Sequence, residues 1–154
     1  MTVAKTVINY LDQRAVPYAL VEHVPTRSTR ATAARSQLPP GCIAKAVVLS
    51  DDTGYVMAVL PADRYLSVHT LNRKLKRNLR LVDEPRLQQV FRDCAFGAIP
   101  PLGPAYGMTT VVDDRLVGQP QIYFEAGDHE ELIRVSGEAF LALLSRARYT
   151  SFSH

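Results

Sequence analysis

The sequence has few of the features that mark exported, membrane-bound or metal-binding proteins. Only two of its 154 residues are cysteines, Cys42 and Cys94, and they form neither a CxxC pair nor a zinc-ligand spacing. No apolar run approaches the roughly 20 residues that cross a bilayer. The first residues also lack the basic-then-apolar pattern of a signal peptide. These absences predict a cytoplasmic protein without a membrane partner.

The motifs of several common hydrolase classes are also absent. The histidines show no HxxxH or HExxH spacing, which argues against a zinc hydrolase. There is no GxSxG nucleophile elbow and no phosphate-binding GxxxxGK(S/T) loop. We expect Cys42 to be structural, and no evident base accompanies Cys94. The sequence therefore predicts chemistry that needs neither a metal nor a cofactor.

The composition predicts one globular domain over residues 1–154. Hydrophobic residues make up 47% and charged residues 21% of the chain, a balance typical of folded proteins. The net charge is only +3, yet the cations are clustered. One cluster contains Arg73, Lys74, Lys76, Arg77 and Arg80, and an acid-free stretch contains Arg27, Arg30 and Arg35. Such clusters suit a phosphate backbone, although a solvated helix face is the ordinary alternative.

Hydrophobic periodicity and turn residues predict secondary structure of both kinds. Helices are expected after Thr2 (with Val3, Val7, Ile8 and Leu11 on one face), over residues 29–37, from Ser67 to about Arg77, after Asp83, and after Ser136. Strands are expected over residues 18–24, 43–49, 55–60, 109–112, 121–124 and 132–135, with residues 51–54 closing a hairpin. The order lacks a regular βαβ rhythm, which favours an α+β fold.

Lys45 is the first candidate for a functional side chain. It shares one face of its strand with Ile43 and Val47, and the residues of the other face are apolar too. A strand buried on both sides forces its lysine to reach a cleft, a partner or water, because an unpaired buried ammonium is costly. The functional interpretation is a cation at a pocket mouth. The alternative is a lysine that extends its amine from the sheet edge into solvent.

A stiff loop, Gly97-Ala98-Ile99-Pro100-Pro101-Leu102-Gly103, is the second candidate. Its two prolines fix φ and lack N–H donors, while its glycines permit unusual backbone conformations. Such a loop can hold a carbonyl oxygen and its developing charge, or it can simply connect a helix to a strand.

The third candidate is the turn Gly127-Asp128-His129-Glu130-Glu131. His129 lies beside three acidic residues, so an imidazole here could titrate near neutral pH and orient a substrate amine or a water. The alternative is an ordinary surface turn.

Taken in this order, these features resemble the YbaK/EbsC-type aminoacyl-tRNA deacylases, which are related to the editing domain of bacterial prolyl-tRNA synthetases. The resemblance runs from about Tyr18 to the last helix. It is carried by the segments YALVEHVPTRST, IAKAVVLSDDTGYVMAVLPAD, GAIPPLG and YFEAGDHEELIRVSGEAFLALL. The family's marks, a lysine in the first long strand and a GxxxP loop, correspond to Lys45 and to Gly97 through Pro101.

The resemblance implies a mixed, partly barrel-like sheet surrounded by helices. It implies hydrolysis of the ester between an amino acid and the terminal adenosine of tRNA. The loop would hold the ester carbonyl and set the pocket size, and Lys45 would contact the end of the tRNA. Water would be the nucleophile, assisted by the vicinal ribose hydroxyl. His129 is a weaker correspondence, because relatives differ at that turn.

We therefore expect a free-standing deacylase that removes small amino acids such as Ala, Ser or Thr, with tRNA and an aminoacyl-tRNA synthetase as partners. The expected catalytic residues are Lys45, Gly97, Pro101 and His129. Substrate contacts are expected from Ala98, Ile99, Pro100, Leu102, Gly103 and Gly127, and tRNA contacts from Arg73, Lys74, Lys76 and Arg77. Two alternatives remain: a non-catalytic module that binds tRNA or a synthetase, and a hydrolase of small aminoacyl esters.

Overall fold

The computed structural model describes residues 3–22, 38–95 and 97–154. Four α-helices lie within these residues: α1 (Lys5–Gln13), α2 (Val68–Leu75), α3 (Glu84–Val90) and α4 (Gly137–Leu143). The strands of the same residues are β1 (Ala19–Glu22), β2 (Ile43–Asp51), β3 (Gly54–Pro61), β4 (Arg80–Leu81), β5 (Thr109–Asp113), β6 (Gln121–Glu125), β7 (Glu131–Ser136) and β8 (Arg148–Thr150).

The eight strands form one mixed sheet, in the order β1-β7-β6-β2-β3-β5-β8, with β4 paired to β2 beside this path. Strands that follow each other along the chain pair antiparallel, as β2 with β3 and β6 with β7. Strand β2 pairs parallel with β6, and β3 pairs parallel with β5. Strands β1 and β7, which come from distant parts of the chain, pair antiparallel. The α+β class predicted from the sequence is therefore confirmed.

Strand β2 has a divided outer edge. Its inner edge pairs with β3 along nearly its whole length. On the outer side its first residues pair with β6 through Ile43 and Ala44, and its last residues pair with β4 through Leu49 and Ser50. Residues 45–47 lie between these two partners and face a gap in the described sheet. This gap is where the candidate site forms.

Apolar side chains fill both faces of the sheet. On one face, Ala44 and Val48 pack in a cluster that includes α1 and α4, with Phe124 and Phe140 fully buried. On the other face, Leu49 packs with Leu71 of α2 and with Phe152 near the end of the chain. Alternate residues of β2 thus serve two cores, which explains why its sequence is apolar at successive positions.

Three of the predicted helix caps, Ser67, Asp83 and Ser136, are confirmed. The Ser67 side chain accepts a hydrogen bond from the N–H of Thr70 (3.2 Å). The Asp83 carboxylate accepts from the N–H of Arg86 (3.1 Å), and Ser136 accepts from the N–H of Ala139 (3.0 Å). Each side chain satisfies an N–H group that the first helical turn leaves without a partner. The predicted hairpin over residues 43–60 is present as β2 and β3.

Several boundaries differ from the prediction. Helix α1 begins at Lys5, and Ala4 occupies its cap position, so Val3 lies outside it. The basic helix ends at Leu75, because Lys76 adopts a left-handed conformation with φ of 56°. The short strands β4 and β8 were not predicted. Thr2, the predicted helix over residues 29–37, the strand end at residues 23–24 and the cations Arg27, Arg30 and Arg35 lie outside the described residues.

The last residues of the chain are held against the segment that follows β3. Buried Asp113 accepts hydrogen bonds from the N–H groups of Phe152 (3.0 Å) and Ser153 (2.9 Å). The backbones of Tyr65 and His154 exchange two hydrogen bonds, of 2.8 and 2.9 Å. The C-terminal residues therefore fix the conformation of the chain around Tyr65.

Replacing Asp113 should loosen this attachment. We expect Asp113→Ala to lower the free energy of unfolding by about 2–4 kcal/mol, because buried N–H groups lose a charged acceptor. Urea unfolding measures the change. Asp114→Ala is the matched control, since Asp114 is exposed and contacts only the Ser151 hydroxyl (3.2 Å) among the hydrogen bonds described. Equal losses in the two variants would show that the buried carboxylate has no special role.

Candidate active site

Lys45 lies on β2 where the outer edge of the strand faces the gap. The strand is buried at Ile43 and Ala44 and again at Val48 and Leu49, but residues 45–47 are only partly buried. The Lys45 amine lies 3.5 Å from the Ala62 carbonyl oxygen and 5.5 Å from the centre of the Tyr65 ring. The predicted burial is thus confirmed at Ile43, Ala44, Val48 and Leu49, and the lysine lies in the partly buried stretch between these two pairs.

Glu125 occupies the position beside Lys45 on the neighbouring strand. Tyr123 and Phe124 of β6 pair in parallel with Ile43 and Ala44, so the next residues along the two strands are Glu125 and Lys45. Neighbouring positions of paired strands project to the same face of a sheet. Glu125 is only 1% exposed. The register therefore places the buried Glu125 carboxylate on the strand position next to Lys45.

His129 belongs to the same region. Its turn is closed by Asp128, whose carboxylate accepts hydrogen bonds from the N–H groups of Glu130 and Glu131, both at 3.1 Å. This side-chain closure holds His129 in the left-handed conformation, with φ of 59°. His129 is 8% exposed, and its Nδ1 lies 3.8 Å from a Glu125 oxygen. The alternative of an ordinary surface turn is therefore wrong.

The Gly97–Gly103 loop forms one wall of a cavity of about 240 Å3 at the gap. Gly97 and Ile99 line it from the loop. The other lining residues come from β2 (Ala46, Val47, Val48) and from the β4–α3 region (Leu81, Val82, Glu84, Leu87). All other residues of the loop are buried, namely Ala98, Pro100, Pro101, Leu102 and Gly103. Among the predicted contacts, Ile99 therefore faces the cavity and Leu102 packs in the core.

Two contacts keep the loop close to the sheet. The N–H of Ala95 donates to the Gly127 carbonyl (2.6 Å), which ties the start of the loop to the His129 turn. At its other end, a Cβ on Gly103 would lie 2.0 Å from the Thr110 hydroxyl, so only glycine fits there. Within the loop, Ala98 donates its N–H to the Ala95 carbonyl. Since prolines have no N–H, Gly97 and Ile99 carry the remaining donors of the GxxxP motif.

Cys94 is buried just before the loop and contacts the polar side chains of Asp93 and Tyr106. Its sulfur is 3.4 Å from the Tyr106 hydroxyl, which donates to Asp93 (3.0 Å). Burial raises the pKa of Cys94 to about 12, and the neighbouring Asp93 carboxylate adds to the rise. The thiol is therefore protonated at neutral pH, the form that is a poor nucleophile.

The cations of the basic helix have different surroundings. Arg73 and Lys76 are exposed, whereas the Lys74 amine donates to the Ser151 carbonyl. Arg77 forms an ion pair with Asp51, with Nε 2.7 Å from a carboxylate oxygen. This guanidinium holds the pKa of Asp51 well below its usual range. Two of the four predicted tRNA contacts thus already have partners within the chain.

A polar groove of about 720 Å3 lies next to the cavity and shares Leu81 with it. Arg80 and Arg86 line this groove together with Asp51 and Asp52. It provides a surface of mixed charge along β4 that leads away from the candidate site.

Two residues of the site were missed from the sequence. Glu125 ends an apolar strand, and an acidic residue at that place could have been noticed. The position of Tyr65 near Lys45 could not be predicted from the sequence, because the chain around Tyr65 is held by residues 152–154. Within residues 3–22, 38–95 and 97–154, no group of three or more His, Cys, Asp or Glu side chains could hold a metal ion. No helix in that part of the chain is long and apolar enough to cross a membrane.

The surroundings of Cys94 lead to a prediction. We expect Cys94→Ala to hydrolyse the aminoacyl ester implied by the family resemblance within about twofold of the wild-type rate, because its thiol does not supply the nucleophile. Initial rates of ester hydrolysis test this, with Cys42→Ala as the matched thiol control. A folded Cys94→Ala protein that is inactive while Cys42→Ala is active would identify Cys94 as a nucleophile.

Comparison with solved structures shows the same fold at low sequence identity. A hypothetical protein designated APE2540 has 21% identity and a TM-score of 0.83, covering 97% of this chain and 100% of that chain. A candidate trans-editing enzyme for prolyl-tRNA synthetase has 22% identity and a TM-score of 0.83, covering 97% and 96%. A protein from Marinobacter aquaeolei, described as a candidate signal transduction protein, has 24% identity and a TM-score of 0.81; the match covers 99% of this chain and 31% of that protein.

Comparison with curated proteins gave no significant match. A family model described as the aminoacyl-tRNA editing domain matches residues 23–143, which is most of the chain. The matched range contains Lys45, the Gly97 loop and the His129 turn, so the resemblance drawn from these motifs is confirmed. The chain belongs to the aminoacyl-tRNA editing domain family.

Proposed function

We propose that this protein is a free-standing deacylase that hydrolyses the ester of mischarged aminoacyl-tRNA. The observation that carries the proposal is the cavity at the divided edge of β2. A half-buried lysine lies on the strand beside it, and the Gly97 loop forms its opposite wall. In a family of editing domains, this arrangement suits an ester whose carbonyl lies at the loop and whose nucleotide end lies near the cation.

The chain would act mainly by positioning and electrostatics. The N–H groups of Gly97 and Ile99 are the loop donors suited to the ester carbonyl and to the negative charge that develops on its oxygen. Cys94 is protonated and bonded within its own cluster. Water is therefore the proposed nucleophile, held near the carbonyl with help from the vicinal ribose hydroxyl of the tRNA.

Lys45, Glu125 and His129 are proposed to act together. Lys45 would attract the phosphate or ribose oxygens of the terminal nucleotide. Glu125 would hold Lys45 and orient the His129 imidazole, whose Nδ1 lies 3.8 Å from its carboxylate. A buried carboxylate is well suited to this task, because solvent screens its charge only weakly.

The proposed substrate of the cavity is a small amino acid. The cavity, of about 240 Å3, lies between the loop and strand β2. Its lining includes the branched side chains of Ile99 and Val47. Alanine, serine or threonine would fit beside them. Synthetases discriminate poorly among such small side chains, since one methylene changes binding by only about 1–3 kcal/mol.

The tRNA would be held by cations outside the cavity. Arg73 and Lys76 are exposed on and after α2, and Arg80 and Arg86 line the adjoining groove. Lys74 and Arg77 would contribute after partial release from Ser151 and Asp51. An aminoacyl-tRNA synthetase that releases the mischarged tRNA is the proposed second partner, because a deacylase acting in trans would receive its substrate from such an enzyme.

Removing the Lys45 amine should abolish most of the activity. We expect Lys45→Ala to lower kcat/KM for the susceptible aminoacyl-tRNA by about a hundredfold or more, as for other preorganised electrostatic contacts. The measurement is deacylation of tRNAs charged with Ala, Ser, Thr, Cys and Pro, including the proline acceptor. Thermal unfolding should show that the variant remains folded.

Lys5→Ala is the matched control, since Lys5 is an exposed lysine of α1. Near-normal turnover by Lys45→Ala would remove Lys45 from the mechanism. If the wild type clears none of these substrates but binds tRNA with a steep salt dependence, the chain is a binding module. If it hydrolyses aminoacyl-adenosine with no gain from the tRNA body, it is a hydrolase of small esters.

Changing Ile99 should change which amino acid is removed. We expect Ile99→Ala to favour larger side chains by about tenfold in relative kcat/KM, because it removes several carbons from the cavity wall. The same panel of charged tRNAs measures the shift. Val117→Ala is the control, since Val117 is exposed outside the cavity. Identical selectivity in wild type and Ile99→Ala would show that this wall does not contact the amino acid.

A further inference from the structure

Tyr65 presents an exposed aromatic ring beside the candidate cation. Its relative exposure is 54%, one of the highest values among the large hydrophobic residues of the described chain. The Lys45 amine lies 5.5 Å from the ring centre. The imidazole of His154, also exposed, lies 6.0 Å from the same ring, centre to centre. One exposed ring thus lies near the lysine and a second lies beside the first. The cavity alone gives neither ring a role.

The Tyr65 backbone has a rigid support. Its N–H and carbonyl both hydrogen-bond to His154, at 2.8 and 2.9 Å. On either side, Leu66 pairs with Ser153, and the Arg64 guanidinium donates to the Ser153 hydroxyl (2.8 Å) and carbonyl (3.0 Å). The buried Asp113 carboxylate accepts hydrogen bonds from the N–H groups of Phe152 and Ser153, which fixes the segment that pairs with Tyr65. An exposed ring on a fixed backbone loses little conformational freedom when a flat ligand covers it.

We propose that Tyr65, flanked by His154, is a stacking platform for the unpaired base of the terminal adenosine of the substrate. This inference rests on the proposed function, because it assigns a subsite for the nucleotide that carries the ester. The base, the ribose and the ester belong to one nucleotide, so a base near Lys45 accompanies an ester at the cavity beside it. Aromatic side chains commonly bind unpaired bases in this way, through π-faces that every base offers.

The charges around the ring suit a nucleotide better than an apolar partner. The Lys45 amine lies 5.5 Å from the centre of the Tyr65 ring, and Arg64 directly precedes Tyr65 in the chain. Each of these side chains carries a cation that attracts a phosphodiester. A protein partner would need a larger apolar surface than these two rings supply. The structure therefore favours a single-stranded nucleic acid end as the ligand.

The test uses binding without catalysis. A short deacylated RNA hairpin with a single-stranded 3′ end carries 2-aminopurine in place of the terminal adenine, and its fluorescence is followed as the full chain is added. Stacking on an aromatic ring should quench the fluorescence. We expect Tyr65→Ala to bind about five- to hundredfold more weakly, the usual effect of losing one base–aromatic stack. Tyr65→Phe should bind and quench like the wild type.

Two further variants separate stacking from other effects. Tyr65→Leu keeps an apolar side chain without an aromatic face, so it should bind as weakly as Tyr65→Ala. Leu20→Ala removes a side chain of similar exposure from the edge strand β1 and should not change binding. Thermal unfolding of each variant shows whether the protein remains folded. If Tyr65→Leu quenches and binds like the wild type, or if the wild type binds without quenching, the stacking platform is refuted.

Parallel deacylation assays distinguish this inference from the function on which it rests. Quenching that depends on Tyr65, in a protein that hydrolyses no aminoacyl-tRNA, would support the base subsite and refute the deacylase. Hydrolysis that is equal in wild type and Tyr65→Ala, without quenching in either, would refute the subsite and leave the deacylase standing.

Discussion

The divided outer edge of β2 is the constraint on which the candidate site depends. A strand in the middle of a sheet normally has partners along both edges, which leaves no room for a ligand. Here β6 pairs with the start of the strand and β4 with its end, so residues 45–47 face a gap among the described strands. The cavity, the half-buried lysine and the loop that closes the opposite wall all result from that division.

Local interactions of the fold could be read from the sequence, and distant ones could not. The β2–β3 hairpin and the caps at Ser67, Asp83 and Ser136 depend on residues a few positions apart, and each was predicted correctly. Strands β4 and β8 have only two or three residues, too few for an alternating pattern. Their existence depends on the strands that they join, and pairing between distant segments leaves no local signal.

The same distinction applies to the site. Lys45 could be identified from the sequence because a cation is unusual in an apolar strand. The Gly97 loop could be identified because its prolines fix φ and its glycines permit unusual backbone conformations. The burial of His129 was not foreseen, since a turn rich in acidic residues is typical of a surface. Glu125 comes to lie next to Lys45 through the parallel register of β2 and β6. Tyr65 joins it through the last residues of the chain.

The attachment of the C-terminal residues has a practical consequence for handling the protein. Because His154 exchanges backbone hydrogen bonds with Tyr65, an affinity tag or fusion partner joined directly after it would begin beside Tyr65. A polyhistidine tag there would add cationic and aromatic groups next to the candidate site and could imitate or block nucleic acid binding. A tag on protein used for binding or rate measurements is therefore better placed away from His154.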